Sequence, residues 1–282
     1  MKRFWGLALG LTLVGSTAAG PPEVAPPPKS TAQVLAKLQK DVADSYNRAI
    51  EPLRKAQQVN DPAEKKKLQD EFSKLYTEHQ KFESECQAKA VAIAKAEAQT
   101  EVGLDAAIWA APGRKPPERK ELVNLVIEYH MTSKKIANVL GLLTREAVEE
   151  PAAKDRAKAL DTMELIVTKS PHKSVQAAAV FAIADFYKNK AEPYGRKAPT
   201  NSEELSKKAE AGFERVLKEY GDVVQYGKRT FGDAAKTTLY EIRNLRVGKT
   251  VPEIEGEDVD GAKFKISDYR GKVVMLDFWG HW

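Results

Sequence analysis

From Leu68 to Ile93 the chain repeats one spacing. Leu68, Phe72, Leu75, His79, Phe82, Cys86, Ala90 and Ile93 follow one another at steps of three and four. Only a helix brings such residues onto one face, because a strand would alternate every second residue. A helix with one apolar stripe has to bury it against a partner. The partner stands just upstream, where Leu35, Leu38, Val42, Ala49, Leu53 and Ala56 recur at the same steps or their sum. Between the two seams lies QQVNDPAEK (57–65), in which Asp61 can cap a helix, Pro62 suits its first turn and Glu64 completes an Asp-x-x-Glu box. Two seamed helices joined by a short turn should pack antiparallel, which predicts a long hairpin over about 31–101.

APGRKPPERK (111–120) is the main interior break. Shorter helices are expected beyond it, at about 118–130, 132–149, 152–169, 174–190, 202–220 and 231–246. Two of them align without gaps at an offset of 50: Ala159, Met163, Ile166 and Val167 match Ala209, Phe213, Val216 and Leu217. Each segment ends in a breaker, Pro171 or Gly221, and each is followed by an Ala-rich helix. The pattern resembles the tetratricopeptide helix hairpin, which implies stacked helix pairs and a concave surface for a peptide or protein. A plain helical bundle accounts for the same pattern. The expected fold over 31–246 is therefore all-α.

Composition narrows the chemistry. Charged residues make up 30% and the net charge is +5, but acids and bases interleave, as in EKKKLQDEF (64–72). Solvated helix faces explain this better than a nucleic-acid surface, which clusters its basic residues among aromatics. The single cysteine, Cys86, excludes an internal disulfide and a cysteine-based zinc site within these residues. His79, His130, His172 and His281 lack metal-ligand spacing. No cofactor and no metal are assigned. Cys86 and His79 fall on the buried stripe, as a small packed thiol and a seam residue.

Residues 1–19 read as an export signal. Lys2 and Arg3 form a positive start, Phe4 to Val14 a short apolar run, and Thr17 and Ala19 suit the positions before a cleavage site. The alternative is an uncleaved N-terminal membrane anchor. Five prolines follow within residues 20–29, so the stretch 20–30 reads as an extended linker. The expected location is periplasmic or at the cell envelope.

After Leu245 the period changes. Asp260-Gly261 marks a hairpin between EIEGEDV and AKFKI, Ser267 can cap a single turn closed by Gly271, and Val273 to Leu276 are apolar without alternation. The last feature predicts a central strand buried on both faces.

The stretch GKTVPEIEGEDVDGAKFKISDYRGKVVMLDFWGHW (248–282) resembles the opening of thioredoxin-superfamily domains, closest to the alkyl hydroperoxide reductase/thiol-specific antioxidant redoxins and TlpA-like thiol–disulfide oxidoreductases. The likeness runs through the Gly248-x-x-x-Pro252 start, the Asp-Gly hairpin with its Lys-hydrophobic-Ser-Asp-Tyr-Arg-Gly-Lys sequel, the VVMLDFW strand and a closing Gly-His-Trp. It covers 247–282 and implies an incomplete α/β thioredoxin fold, broken off just before the family's Cys-x-x-Cys. It also implies site residues. Asp277 aligns with the carboxylate that thioredoxins place beneath the second cysteine as a proton acceptor, and Trp282 with the tryptophan that shields the pair. Trp279 would be core, and His281 a turn residue.

Two functions stay open. In the first, the chain is the N-terminal portion of an exported redoxin that reduces a protein disulfide or a peroxide, re-reduced by an upstream thiol donor. It would be inactive by itself, because two-electron exchange needs two sulfurs. In the second, the helices form a protein-interaction module and the tail is vestigial.

Overall fold

The computed structural model describes residues 30–149, 153–193 and 197–277. The expected export signal and the linker up to Lys29 lie outside the described residues. Ser30 opens α1 (Thr31–Ala56): its hydroxyl accepts from Gln33 N, and the Gln33 carboxamide accepts the Ser30 N–H in return. Asp61 caps α2 (Pro62–Ala96), accepting from Glu64 N at 3.0 Å. The two helices run antiparallel. Leu38 and Val42 cluster with Cys86, whereas Ser45, further along α1, meets His79, further back along α2.

Burial along this hairpin is uneven. His79, Cys86, Ala90, Val91 and Ala94 are buried, but Leu68, Phe72 and Leu75 are half-buried and Phe82 is exposed. α1 packs along α2. Over its second half α3 (Glu101–Ala110) and α4 (Pro116–His130) also pack. At the far end of α1 the stripe shifts by one position, so that Pro52 is buried and Leu53 half-buried.

The sequence reading left 101–110 unassigned, and the structure folds it as α3. Thr100 caps it, its hydroxyl accepting from Gly103 N at 3.1 Å. The chain doubles back so tightly here that a Cβ on Gly103 would stand 1.9 Å from the Glu97 carbonyl oxygen. Any side chain would push α3 out of this return.

A short 3-10 turn, Ala111–Gly113, leads to α4. The single helix expected over 132–149 is in two parts: Ser133 caps a 3-10 helix, Lys134–Val139, which continues as α5 (Leu140–Glu149). Then come α6 (Ala153–Lys169), α7 (Lys173–Ala191) and α8 (Ser202–Tyr220). A small hairpin, β1 (Val224–Tyr226) with β2 (Arg229–Thr230), intervenes before α9 (Phe231–Asn244). Thr230 and Asp233 form a reciprocal capping box at the start of α9.

Successive helices pack on one another from α5 to α9, and α7 also touches both α5 and α9. Of the eight repeat-aligned residues six lie deep in the core, Val167 is buried at 5% and Leu217 is half-buried. Ala159, Met163 and Ile166, and likewise Ala209, Phe213 and Val216, are at most 3% exposed. α7 and α8 cross closely, since a Cβ on Gly212 would lie 2.7 Å from that of Ala184. One hydrophobic core runs from Leu35 to Ile242. No described helix is long and apolar enough to cross a membrane.

Beyond Ile242 no described residue is buried. β3 (Glu255–Glu257) and β4 (Lys263–Lys265) form an antiparallel hairpin, followed by a 3-10 turn, Ile266–Tyr269. The expected central strand is a correction: residues 273–277 form no strand and are exposed, Val273 fully and Met275 at 92%. A strand is defined by its ladder partners, and the described residues supply none for this segment.

Candidate functional site

The tail is built around its hairpin. Glu255, Gly256 and Glu257 face Lys265, Phe264 and Lys263 across the ladder, and Glu255 and Lys265 form an ion pair at 2.9 Å. The turn is held by Asp258, whose Oδ1 accepts from Asp260 N and Ala262 N, and by Gly261 at φ +81°. Gly256 has no side chain because the Phe264 ring lies over it; a Cβ there would stand 3.0 Å from the ring edge. Phe264 in turn meets Tyr269 edge-on at 6.5 Å.

The following turn is capped differently from the sequence reading. Asp268, rather than Ser267, supplies the cap, its carboxylate accepting from Lys265 N at 2.9 Å. Ser267 N instead donates to Glu253 Oε1 at 3.0 Å, and Ile266 N donates to Ile254 O at 2.9 Å. These bonds tie the turn back to the segment before β3. The Ser267 hydrogen bonds also hold the Glu253 carboxyl below its usual range. Gly271, at φ +81°, ends the turn and releases the chain toward Val273.

Of the two residues assigned by resemblance, Asp277 is exposed at the end of this segment, and Trp282 lies outside the described residues, as do Trp279 and His281. Cys86 lies on α2, in the helical body. It is 2% exposed between Leu38 and Val42, and burial pushes its thiol up from the ordinary value. A raised, buried thiol is a poor nucleophile. Among the described residues no group of three or more His, Cys, Asp or Glu could hold a metal ion.

A second feature escaped the sequence reading. An open groove crosses the helical body, lined by Gly141 and Thr144 of α5, by Phe181, Ala182 and Asp185 of α7, and by Phe231 at the start of α9. Gly141 points at open space. Asp185 is half-buried, and desolvation raises its carboxyl above the ordinary value, against the smaller opposing effects of Lys188 and the Asn189 amide. Such perturbed groups concentrate at functional sites. The signal in the sequence was a lone acid in an Ala-rich helix, within the stretch AAAVFAIADFY (177–187) whose other positions are all hydrophobic.

No family model matches the chain, and no solved structure matches it. A 38-residue stretch is 47% identical to the thiol-disulfide oxidoreductase ResA of Geobacillus thermodenitrificans (strain NG80-2) and 50% identical to that of Geobacillus kaustophilus (strain HTA426). The corresponding protein of Bacillus thuringiensis subsp. konkukian (strain 97-27) is 40% identical over 38 residues. Each match covers 14% of this chain and 22% of the relative, so the chain spans about a fifth of the length of the curated relatives it matches. This partial homology supports a thioredoxin-like redoxin kinship for that stretch.

Proposed function

We propose that residues 247–282 are the opening segment of a thioredoxin-like domain belonging to an exported thiol–disulfide oxidoreductase, with the helical body of 31–246 preceding it. The observation that carries this reading is the 38-residue match at up to 50% identity to proteins named as thiol-disulfide oxidoreductases. The tail holds the hairpin, turn and VVMLDFW segment on which the resemblance rests. In this reading Asp277 and Trp282 take their roles once further strands cover 273–277. Substrates are a protein disulfide or a peroxide, and an upstream thiol donor restores the enzyme. The apolar run of residues 1–19 directs the protein to the periplasm or cell envelope.

The 282 residues hold one cysteine, buried in a helical seam, and exchange between a dithiol and a disulfide takes two. The chain by itself is therefore expected to be inactive. The test is insulin reduction with dithiothreitol, comparing this chain with one extended by a thioredoxin-like domain that places Cys-x-x-Cys directly after Trp282. Turnover by the extended chain and none by the 282 residues supports the reading. Turnover by the short chain above its Cys86→Ala variant counts against it, as does a folded but inactive extended chain.

The groove on α5, α7 and α9 favours a second reading, a helical-repeat interaction module. Its apolar floor and its half-buried carboxylate at Asp185 suit an extended polypeptide segment carrying a basic side chain. In this reading the tail is vestigial. The two readings separate on the insulin assay, which the groove does not enter.

A further inference from the structure

Where α1, α2 and α3 meet, a separate pocket of about 350 Å³ opens beside the seam. Tyr46 of α1, Tyr76 and His79 of α2 and Trp109 of α3 line it, with the Glu83 carboxylate at its edge. The Tyr46 and Tyr76 rings stand 5.5 and 5.9 Å from the buried His79 ring, tilted by 59° and 43°, so none of them stacks flat to close the space. The site is lined by aromatic rings and one carboxylate.

That charge is positioned through a chain of contacts. Gln87 Nε2 donates to Glu83 Oε1 at 3.2 Å. Arg114 Nη2 donates to Gln87 Oε1 at 2.9 Å and to the Ser84 carbonyl at 3.2 Å, which sets the orientation of the Gln87 amide. Gly113 leaves the room this requires, since a Cβ there would stand 2.1 Å from Gln87 Oε1. His79 completes the arrangement, with Nε2 3.7 Å from Glu83 and Nδ1 3.3 Å from Ser45 Oγ.

A serine, a histidine and a carboxylate in contact invite an acyl-transfer reading. Ser45 lies inside α1, where backbone N–H groups are spent on the helix ladder, so no pair of donors is left beside it for an oxyanion. The site is built to bind. Aromatic faces attract a cation through their quadrupoles, most strongly when it sheds water, and a carboxylate at the rim adds to the attraction. Val42, Ala43 and the carbon rings of the lining, beside the polar Gln39, favour a cation that is weakly hydrated and carries methyl groups. We propose that this pocket binds a small organic cation, a quaternary ammonium group of the choline type. The proposal is independent of the redox reading.

The test titrates the full chain with choline chloride, following the Trp109 indole N–H resonance by NMR, beside its neutral isostere 3,3-dimethylbutan-1-ol. Saturable shifts with choline and a weaker response to the alcohol are expected. Tyr46→Leu, at an exposed rim position, should weaken choline binding about two- to fivefold. Glu83→Gln, a near-isosteric change on a half-buried side chain, should also weaken it. Sedimentation with phosphatidylcholine vesicles, against phosphatidylglycerol vesicles, distinguishes the sources. Selective capture by phosphatidylcholine upholds the site as one for a lipid headgroup, and choline binding without vesicle binding upholds it as one for the free cation. Equal affinity for the alcohol, unchanged binding in both variants, or no shift up to about 100 mM choline would overturn the proposal.

Discussion

Asp185 carries a cost that the rest of α7 has to offset. Its folded-state carboxyl is raised by desolvation above the ordinary value of 3.8, so the native state binds the proton more tightly than the unfolded chain does. Between the two values the native state holds more protons, and stability contributed by this site falls as pH rises through that window. Above the window the full penalty remains. Asp185→Asn should therefore raise the melting temperature at pH 7, and the difference from the parent should vanish below the ordinary value. Thermal melts of both proteins across that range would show it, and an Asn variant that is less stable at pH 7 would contradict the assignment of burial as the dominant cause. Cys86 makes the opposite case, a group whose burial costs nothing while it stays a neutral thiol. Its alkylation in the native protein should be slow and should accelerate on unfolding. Rapid labelling without denaturant would contradict its place between Leu38 and Val42.

At the scale of elements, the buried faces decide which helices hold the body together. Phe213 is fully buried, and its ring meets Phe181 edge-on at 5.2 Å. Phe213→Ala should cost about 3–5 kcal/mol, the range for a large aromatic removed from a core, as read by urea denaturation. The same substitution at the exposed Phe82 of α2 should cost far less. Ion pairs between elements contribute little by comparison. Lys135 reaches Glu101 and Asp105 from the turn before α5, and Lys188 reaches Glu241, but all these groups are substantially exposed. Arg246 differs in being only 16% exposed at its side chain, where it bonds Glu192, Ser202 and Ser206 and pins the end of α9 to α8.

For the whole molecule, one core runs from Leu35 to Ile242, and among the described residues none continues beyond it. A chain comprising residues 30–247 should therefore fold without the tail, with high helicity and a cooperative melt by circular dichroism. A non-cooperative, weakly helical chain would contradict this. The tail makes the complementary prediction. Val273 to Leu276 form an exposed apolar run of high β-propensity, a template for pairing with other chains. Val273→Lys with Met275→Lys should lower light scattering at high protein concentration and leave the helical melt unchanged.

What the sequence determined by itself was local. The two seams, the Asp61 cap, the helices over 174–190 and 202–220 and the Asp-Gly turn at 260–261 are written in periods and turn residues that act within a few positions of themselves. α3 was not legible, because an Ala-rich helix buried on several faces has no contrast between polar and apolar sides. The strand at 273–276 was misread for the reverse reason: its composition is that of a buried strand, but pairing is supplied from elsewhere in a fold, and its own residues cannot provide it. Both pockets belong to the tertiary structure. Tyr46, Tyr76 and Trp109 sit on three helices, and Gly141, Asp185 and Phe231 on three others. No period within one segment records which residues a neighbouring helix will bring alongside, because that depends on how the helices cross, at contacts as close as Ala184 on Gly212.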